Sequence, residues 1–283
     1  MSIFDSFVRK HDYLVCVDSD GCVMDTMNCK HFHCFGPCMV TEWGLEAWKD
    51  EILERWNVIN LFSMTRGINR FKGLAMALGE IDEKYTPIVG IEALQHWAAT
   101  APALSNDGVA KAIAEAETEE AKLVLGKALS WSKAVNASIV LLDESLKVPY
   151  ECAKEGLSAA HEFADVAMVS SANRDAVEEE WGKFGLLEHT DIVLAQDVGS
   201  KAHCIAKMLE FGYDPSKVLM VGDAPGDCEA AERNGVHYYP ILVNHEKQSW
   251  DEAVSVAFHK LRSGEYAPSG MQKKEEFLHN LGG

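Results

Sequence analysis

The most informative stretch of this chain is Tyr13-Leu-Val-Cys-Val-Asp18-Ser-Asp20-Gly21. An apolar run typical of a β-strand ends in two aspartates, one residue apart, and a glycine that permits a sharp turn follows them. Because side chains at i and i+2 of a strand point the same way, Asp18 and Asp20 are expected on one face of the strand end. Two adjacent carboxylates are unfavourable unless a cation or a proton separates their charges. The stretch therefore predicts a metal site, of a kind that usually binds phosphate.

Three later segments also carry polar side chains at the end of a strand or the start of a helix. These are Ser170 after the apolar run 165–169, Lys201 at the start of the helical stretch 201–209, and Asp223 with Asp227 after the run 218–221 and Gly222. Taken in order, the four motifs resemble those of the haloacid dehalogenase (HAD) superfamily: Asp-x-Asp-Gly, strand-Ser/Thr, Lys, and Gly-Asp-x-x-x-Asp. The resemblance covers residues 10–28 and 148–245. Each motif alone is common, but all four in order are a specific signal.

The alternation of strands and helices predicts an α/β fold, a Rossmann-like doubly wound parallel sheet. Strands are expected near residues 13–18, 165–169, 191–195, 217–221 and 236–242. Ligands of this architecture bind beyond the carboxyl ends of the strands, where all four motifs fall. Residues 29–148 contain no convincing strand. Their apolar residues recur at helical spacing, as in Trp48, Ile52 and Trp56.

The inserted block therefore resembles the superfamily's all-helical cap domain. The predicted organisation is a discontinuous core formed by residues 1–28 and 149–263, a helical cap over residues 29–148, and a polar, loosely docked tail over residues 264–283. In the insertion, Ser105 is expected to cap a helix, and a longer helix is expected from about Glu119 to Leu142.

The resemblance implies a role for each motif residue. Asp18 is the expected nucleophile, which forms an aspartyl-phosphate. Asp20 is the expected general acid and base. An aspartate at this position is typical of the phosphatases and phosphomutases of the superfamily, and not of its dehalogenases or phosphonate hydrolases. Ser170 is expected to bind a phosphoryl oxygen, with Ser171 as the alternative. Lys201 is expected to neutralise charge, and Lys207, in mid-helix, is a weaker candidate.

A magnesium ion is the implied cofactor, because this hard cation prefers carboxylates, water and phosphate oxygens. The family pattern makes Asp223 a ligand, together with Asp18 and the backbone carbonyl of Asp20. Asp227 is expected to bind the ion directly or through water.

Candidate substrate contacts are less specific. Arg66 and Arg70 lie one helical turn apart, and arginine suits bidentate recognition of a carboxylate or a second phosphate; solvated surface charges are an equal alternative. Ser171 and Asn173 follow the second predicted strand. Lys30, His31 and His33 are candidates for an entrance. The cysteines and histidines of residues 29–38 also permit a zinc site, but their spacing matches no common structural pattern.

Bulk properties favour a cytoplasmic enzyme. Net charge is −18, from 26 basic and 44 acidic residues, which argues against nonspecific nucleic-acid binding. No apolar run approaches the roughly 18 residues of a membrane span, and the first residues lack a signal-peptide pattern. The eight cysteines are best explained as reduced thiols.

The sequence thus predicts a magnesium-dependent phosphohydrolase that acts on a small phosphorylated metabolite, with no nucleic-acid or membrane partner. A phosphomutase of the β-phosphoglucomutase type shares all these motifs and is the close alternative. A third possibility, from another class, is a regulatory or binding protein that forms an aspartyl-phosphate without turnover. Substrate identity and oligomeric state are left open.

Overall fold

The structure is a computed structural model that describes residues 3–283. The chain divides into two compact units. One is formed by the residues up to Met27 together with Lys147–Gly283, and the other is Asn28–Leu146.

A five-stranded, wholly parallel sheet forms the centre of the first unit, as predicted. Its strands are β1 (Tyr13–Val17), β2 (Ala164–Val169), β3 (Ile192–Leu194), β4 (Val218–Gly222) and β5 (His237–Pro240). The spatial order is β3-β2-β1-β4-β5. The chain moves outward from β1 to β3 and then returns to the other side of β1, so a topological switch point lies between β1 and β4. The fold is therefore the expected doubly wound α/β fold.

The central position of β1 explains its composition. Val15 pairs with Val166 on one side and with Leu219 on the other, and all three residues are fully buried. A parallel strand covered on both faces reads as a continuous apolar run, which is the pattern that begins this sequence.

Helices make up most of the remaining regular structure. In chain order they are α1 (Met27–Lys30), α2 (Gly36–Trp43), α3 (Lys49–Leu61), α4 (Arg70–Lys84), α5 (Ile91–Thr100), α6 (Asn106–Glu115), α7 (Glu119–Val140), α8 (Ala153–His161), α9 (Arg174–Lys183), α10 (Lys201–Leu209), α11 (Pro225–Arg233), α12 (Glu246–Glu252), α13 (Phe258–Ser263) and α14 (Tyr266–Asn280). Two π-helical segments, His31–Phe35 and Ala253–Ala257, separate α1 from α2 and α12 from α13. Within residues 3–283, no helix has both the length and the apolar character needed to cross a membrane.

The unit Asn28–Leu146 is built from helices, as the spacing of its apolar residues predicts. Every regular element described within it is helical. Ser105 caps α6, because its side chain accepts a hydrogen bond from the Gly108 amide at 3.1 Å. Trp56 and Trp131 are fully buried in its core, with their rings edge to face and 6.0 Å between centroids.

The C-terminal residues differ from the prediction. Instead of a loosely docked tail, residues 266–280 form α14, in which Tyr266 and Phe277 are buried. The Tyr266 hydroxyl donates to the Tyr238 carbonyl at 2.7 Å, and Asn280 exchanges two hydrogen bonds with the backbone of Val243. The prediction was wrong because the many polar residues conceal two apolar positions eleven apart, which fall on one face of a helix.

Candidate active site

The end of β1 forms a tight loop that places Asp18 in the interior. The Asp18 amide donates to the Val221 carbonyl at 3.0 Å, so the residue remains joined to β4. Its side chain is only 7% exposed. The loop then turns at Gly21, whose φ of 85° favours glycine, and the Gly21 amide donates to the Met24 carbonyl at 2.9 Å. The turn therefore ends the strand immediately after the two aspartates.

The end of β4 brings two further carboxylates to the same region, Asp223 and Asp227, and both are fully buried. α11 begins at Pro225, so Asp227 is its third residue. From there Oδ2 reaches back to accept the Ala224 amide at 3.1 Å. A Cβ at Gly222 would overlap the carboxyl group of Asp227. Glycine at this position therefore allows the close approach of Asp227 to the strand.

Lys201 joins Asp18 and Asp227. It is the first residue of α10, whose N-cap Ser200 accepts the His203 amide at 3.2 Å. The Lys201 ammonium lies 2.7 Å from Oδ2 of Asp18 and 2.5 Å from Oδ1 of Asp227. One cation is thus shared between residues that follow two neighbouring strands.

These residues form a candidate metal centre. Carboxylate oxygens of Asp18, Asp223 and Asp227 all lie within 4.8 Å of one another. Three carboxylates and the Lys201 ammonium carry a formal charge of −2, in a place where water is largely excluded. Buried charge is costly unless it is paired or bound to a metal. A set of oxygen donors with excess negative charge fits a hard divalent cation such as Mg²⁺.

The pKa values of the cluster are also consistent with a site that binds a cation. Burial raises the pKa of Asp18 well above its ordinary value; Asp227 and Asp223 raise it too, while Lys201 lowers it. Burial disfavours the ammonium form of Lys201, but Asp18 and Asp227 outweigh it and raise the pKa of that lysine. A further positive charge close to Asp18 would lower the pKa of its carboxyl group and favour the ionised form.

Asp20 has a different environment from Asp18. It is half-buried, and its Oδ1 accepts a hydrogen bond from the hydroxyl of Thr26, which is fully buried. Sequence reasoning missed Thr26, because a threonine six residues after an aspartate has no distinguishing pattern. Only the turn at Gly21 brings the two side chains together.

The end of β2 supplies the predicted hydroxyl. Ser170 is buried, and its Oγ accepts the Ala172 amide at 3.1 Å. The neighbouring Ser171 is exposed, and the exposed Asn173 caps α9 by accepting the Ala176 amide at 3.3 Å. Their contacts with a substrate stay predictions.

The two arginines proposed for substrate recognition make contacts inside the helical unit. Arg66 is buried, and its guanidinium donates to the Leu61 carbonyl at 2.8 Å. Arg70 donates to Asn136 Oδ1 at 2.7 Å and lies 5.0 Å from the centre of the Phe35 ring; burial lowers its pKa. These contacts give both residues a structural role, and a substrate role stays a prediction.

Other candidates from the sequence also have structural partners. The Nδ1 atom of His31 accepts a hydrogen bond from the indole of Trp56 at 3.1 Å, and its ring stacks on Phe35. Lys207 pairs with Glu210 at 2.9 Å. All eight cysteines are free thiols. Within residues 3–283, the one group of three or more potential metal ligands is the aspartate cluster.

Part of the chain is similar to a known protein family. The family profile described as "Haloacid dehalogenase-like hydrolase" matches residues 104–241, just under half of the chain. No curated protein gives a match.

Several solved structures are similar to this chain, two of them with a TM-score of 0.50 or above. A Lactobacillus delbrueckii subsp. bulgaricus protein that is described as a phosphoglycolate phosphatase is 12% identical to this chain. The comparison has a TM-score of 0.51 and covers 81% of this chain and 85% of that one. A haloacid dehalogenase-like family hydrolase from Xanthomonas campestris is 14% identical, with a TM-score of 0.50 over 94% and 98%. An assigned HAD-hydrolase from Bacillus subtilis, bound to magnesium, is 12% identical, with a TM-score of 0.43 over 81% and 86%. At these identities the likeness concerns the fold.

Proposed function

We propose that this chain is a haloacid dehalogenase-like hydrolase, and that it acts as a magnesium-dependent phosphatase on a small phosphorylated metabolite. The observation that carries the proposal is the buried cluster of three aspartates with Lys201 between two of them. Such a cluster suits the charge of a phosphoryl group and a divalent cation together.

In the proposed reaction, a carboxylate oxygen of Asp18 attacks phosphorus and forms an aspartyl-phosphate, while the bond from phosphorus to the leaving oxygen breaks. Asp20 donates its proton to that oxygen. Asp20 then accepts a proton from water, whose oxygen attacks phosphorus while the bond from phosphorus to the Asp18 oxygen breaks, and inorganic phosphate is released. Asp18 is thereby regenerated as a carboxylate.

The other buried groups have supporting roles. The Lys201 ammonium favours the ionised form of Asp18, because its charge opposes the effects of burial and of Asp227 and Asp223. Ser170 would bind a phosphoryl oxygen. Asp18, Asp223, Asp227 and the backbone carbonyl of Asp20 would hold Mg²⁺, which would supply positive charge to the phosphoryl oxygens.

The test is phosphate release from an aryl phosphate by the purified chain, with Mg²⁺ and after treatment with a chelator. We expect activity that is lost on chelation and restored by Mg²⁺. A panel of metabolites would follow, including phosphoglycolate because of the name carried by the Lactobacillus protein. Full activity in the chelated protein would contradict the metal assignment. A phosphorylated isomer without free phosphate would identify a mutase instead.

A further inference from the structure

Ser19 lies between the two motif aspartates, and its side chain is directed to a different partner. Its Oγ accepts a hydrogen bond from the indole Nε1 of Trp181 at 2.8 Å. Trp181 belongs to α9, and both side chains are fully buried. The contact joins residues 162 positions apart, so it fixes the loop after β1 to a helix from another part of the α/β unit.

The backbone of Ser19 is the centre of this loop. Its carbonyl accepts the amides of Cys22, Val23 and Met24, at 3.2, 2.9 and 2.9 Å. Its amide donates to Oδ1 of Asp18 at 2.8 Å. A displacement of Ser19 would therefore move the Asp18 carboxylate and the turn that carries Asp20.

The hydrogen bond between Trp181 and Ser19 can hold the loop after β1 in one orientation, which an apolar contact alone would not do. An indole N–H can only donate, and the serine hydroxyl oxygen can accept it. Hydrogen bonds weaken steeply when they bend, so the pair defines a direction that an apolar contact would not. A second indole acts on the same loop, because Trp250 Nε1 donates to the Cys22 carbonyl at 2.9 Å.

We propose that Trp181 is a positioning residue for the nucleophile, acting through Ser19. This inference rests on the proposed function, in which Asp18 both attacks phosphorus and binds the metal. The Trp181–Ser19 bond holds the loop so that the Asp18 carboxylate meets Lys201 and the other aspartates in one arrangement.

The experiment compares Ser19→Ala, Trp181→Phe and the double variant with the natural chain. Tyr266→Phe is the matched control, because it also removes one buried hydrogen bond to a group in the α/β unit, at 2.7 Å, without touching the loop. The measurements are kcat and KM with an aryl phosphate, the Mg²⁺ dissociation constant by calorimetry, and the melting temperature. Ser19→Ala removes a single atom, so it keeps the test valid if Trp181→Phe fails to fold.

We expect each single variant to lose about 10- to 100-fold in kcat or in Mg²⁺ affinity, as is typical for groups that orient a metal ligand, with KM nearly unchanged. The double variant should lose no more than the worse single variant, because both substitutions break the same bond. Tyr266→Phe should lower the melting temperature and leave both constants unchanged.

Natural kcat and Mg²⁺ affinity in the single variants, with only a lower melting temperature, would overturn the proposal. Losses that multiply in the double variant would do so too. If the natural chain releases no phosphate but the variants still weaken Mg²⁺ binding as described, the proposed function fails while the positioning role stands.

Discussion

The ammonium group of Lys201 lies 2.7 Å from Oδ2 of Asp18, and the side chains are 15% and 7% exposed. This pairing opposes the effect of burial on the carboxylate. The first prediction follows from it. Lys201→Met should lower kcat by about 10²–10³-fold, the usual effect of removing one donor from a preorganised site.

The same variant should need a higher pH for its remaining activity. Without Lys201, the pKa of Asp18 is raised further, and the nucleophile must be ionised to attack. The acidic limb of the pH–rate profile should therefore move to higher pH. Lys207→Met, on the same helix but paired with Glu210 on the surface, is the control. An unshifted profile in Lys201→Met would count against the pairing.

Asp18 and Asp20 share a motif but should fail differently. Asp18→Asn removes the nucleophile, so no aspartyl-phosphate can form and turnover should vanish. Asp20→Asn removes proton transfer, which is worth roughly 10²–10⁴-fold, and the loss should be smallest for substrates with good leaving groups. Intact mass after acid quench should show an added phosphoryl group on Asp20→Asn and none on Asp18→Asn. An adduct on both variants would mean that Asp18 is not the nucleophile.

Asp223 should dominate metal binding. Asp223→Asn removes one of three buried carboxylates and its charge, so we expect at least a tenfold weaker Mg²⁺ affinity and a parallel loss of activity. Calorimetric titration of the metal-free protein measures the first, and phosphate release at saturating Mg²⁺ measures the second. Asp175→Asn, at an exposed position of α9, should change neither. An Asp223→Asn variant with natural Mg²⁺ affinity would remove this residue from the metal site.

Gly222→Ala should damage the site without changing any charge. The new Cβ would overlap the Asp227 carboxyl, so Asp227 must shift from the position in which it contacts Lys201. We expect a loss of activity of about 10- to 100-fold. Gly226→Ala is the control, because a Cβ there meets nothing within 4 Å. Equal activities of the two variants would show that Asp227 can shift without consequence.

His237 should make stability fall at mildly acidic pH. Burial lowers its pKa, opposed in part by a hydrogen bond with the Ser216 backbone. Below about pH 6.5, the unfolded chain gains a proton at this histidine that the folded protein does not yet bind, so acidification favours unfolding. Melting temperatures between pH 5 and 8 should fall less steeply in His237→Asn than in the natural chain. Replacing the exposed His279 should leave the dependence of melting temperature on pH unchanged. If His237→Asn also left it unchanged, His237 would not be its cause.

The strands of the sheet and the motif residues can be predicted from the sequence because the patterns that identify them lie within short segments. β1 was expected at residues 13–18 and spans Tyr13–Val17, and the apolar run with its following glycine is sufficient to define it. Because ligands of such a sheet bind beyond the carboxyl ends of its strands, the sequence predicts one site that contains Asp18, Asp223, Asp227 and Lys201. The structure brings the same four residues into contact range.

Contacts between distant segments could not be predicted in this way. Nothing around Trp181 indicates that its indole meets Ser19. The spacing of Arg66 and Arg70 makes Arg66 a candidate for substrate recognition, yet its guanidinium donates to the carbonyl of Leu61. Whether a charged group serves a ligand or a backbone oxygen depends on tertiary neighbours, which the spacing of residues along the chain does not encode.

The C-terminal helix α14 also bears on how the protein behaves in concentrated solution. β5 is an outer strand of the sheet, and outer strands with free backbone groups can recruit strands from other molecules. Tyr266 occupies the Tyr238 carbonyl, and Asn280 occupies both backbone groups of Val243 just beyond the strand. We therefore expect that a chain without the last twenty residues would expose backbone groups at this edge and form intermolecular β-structure more readily.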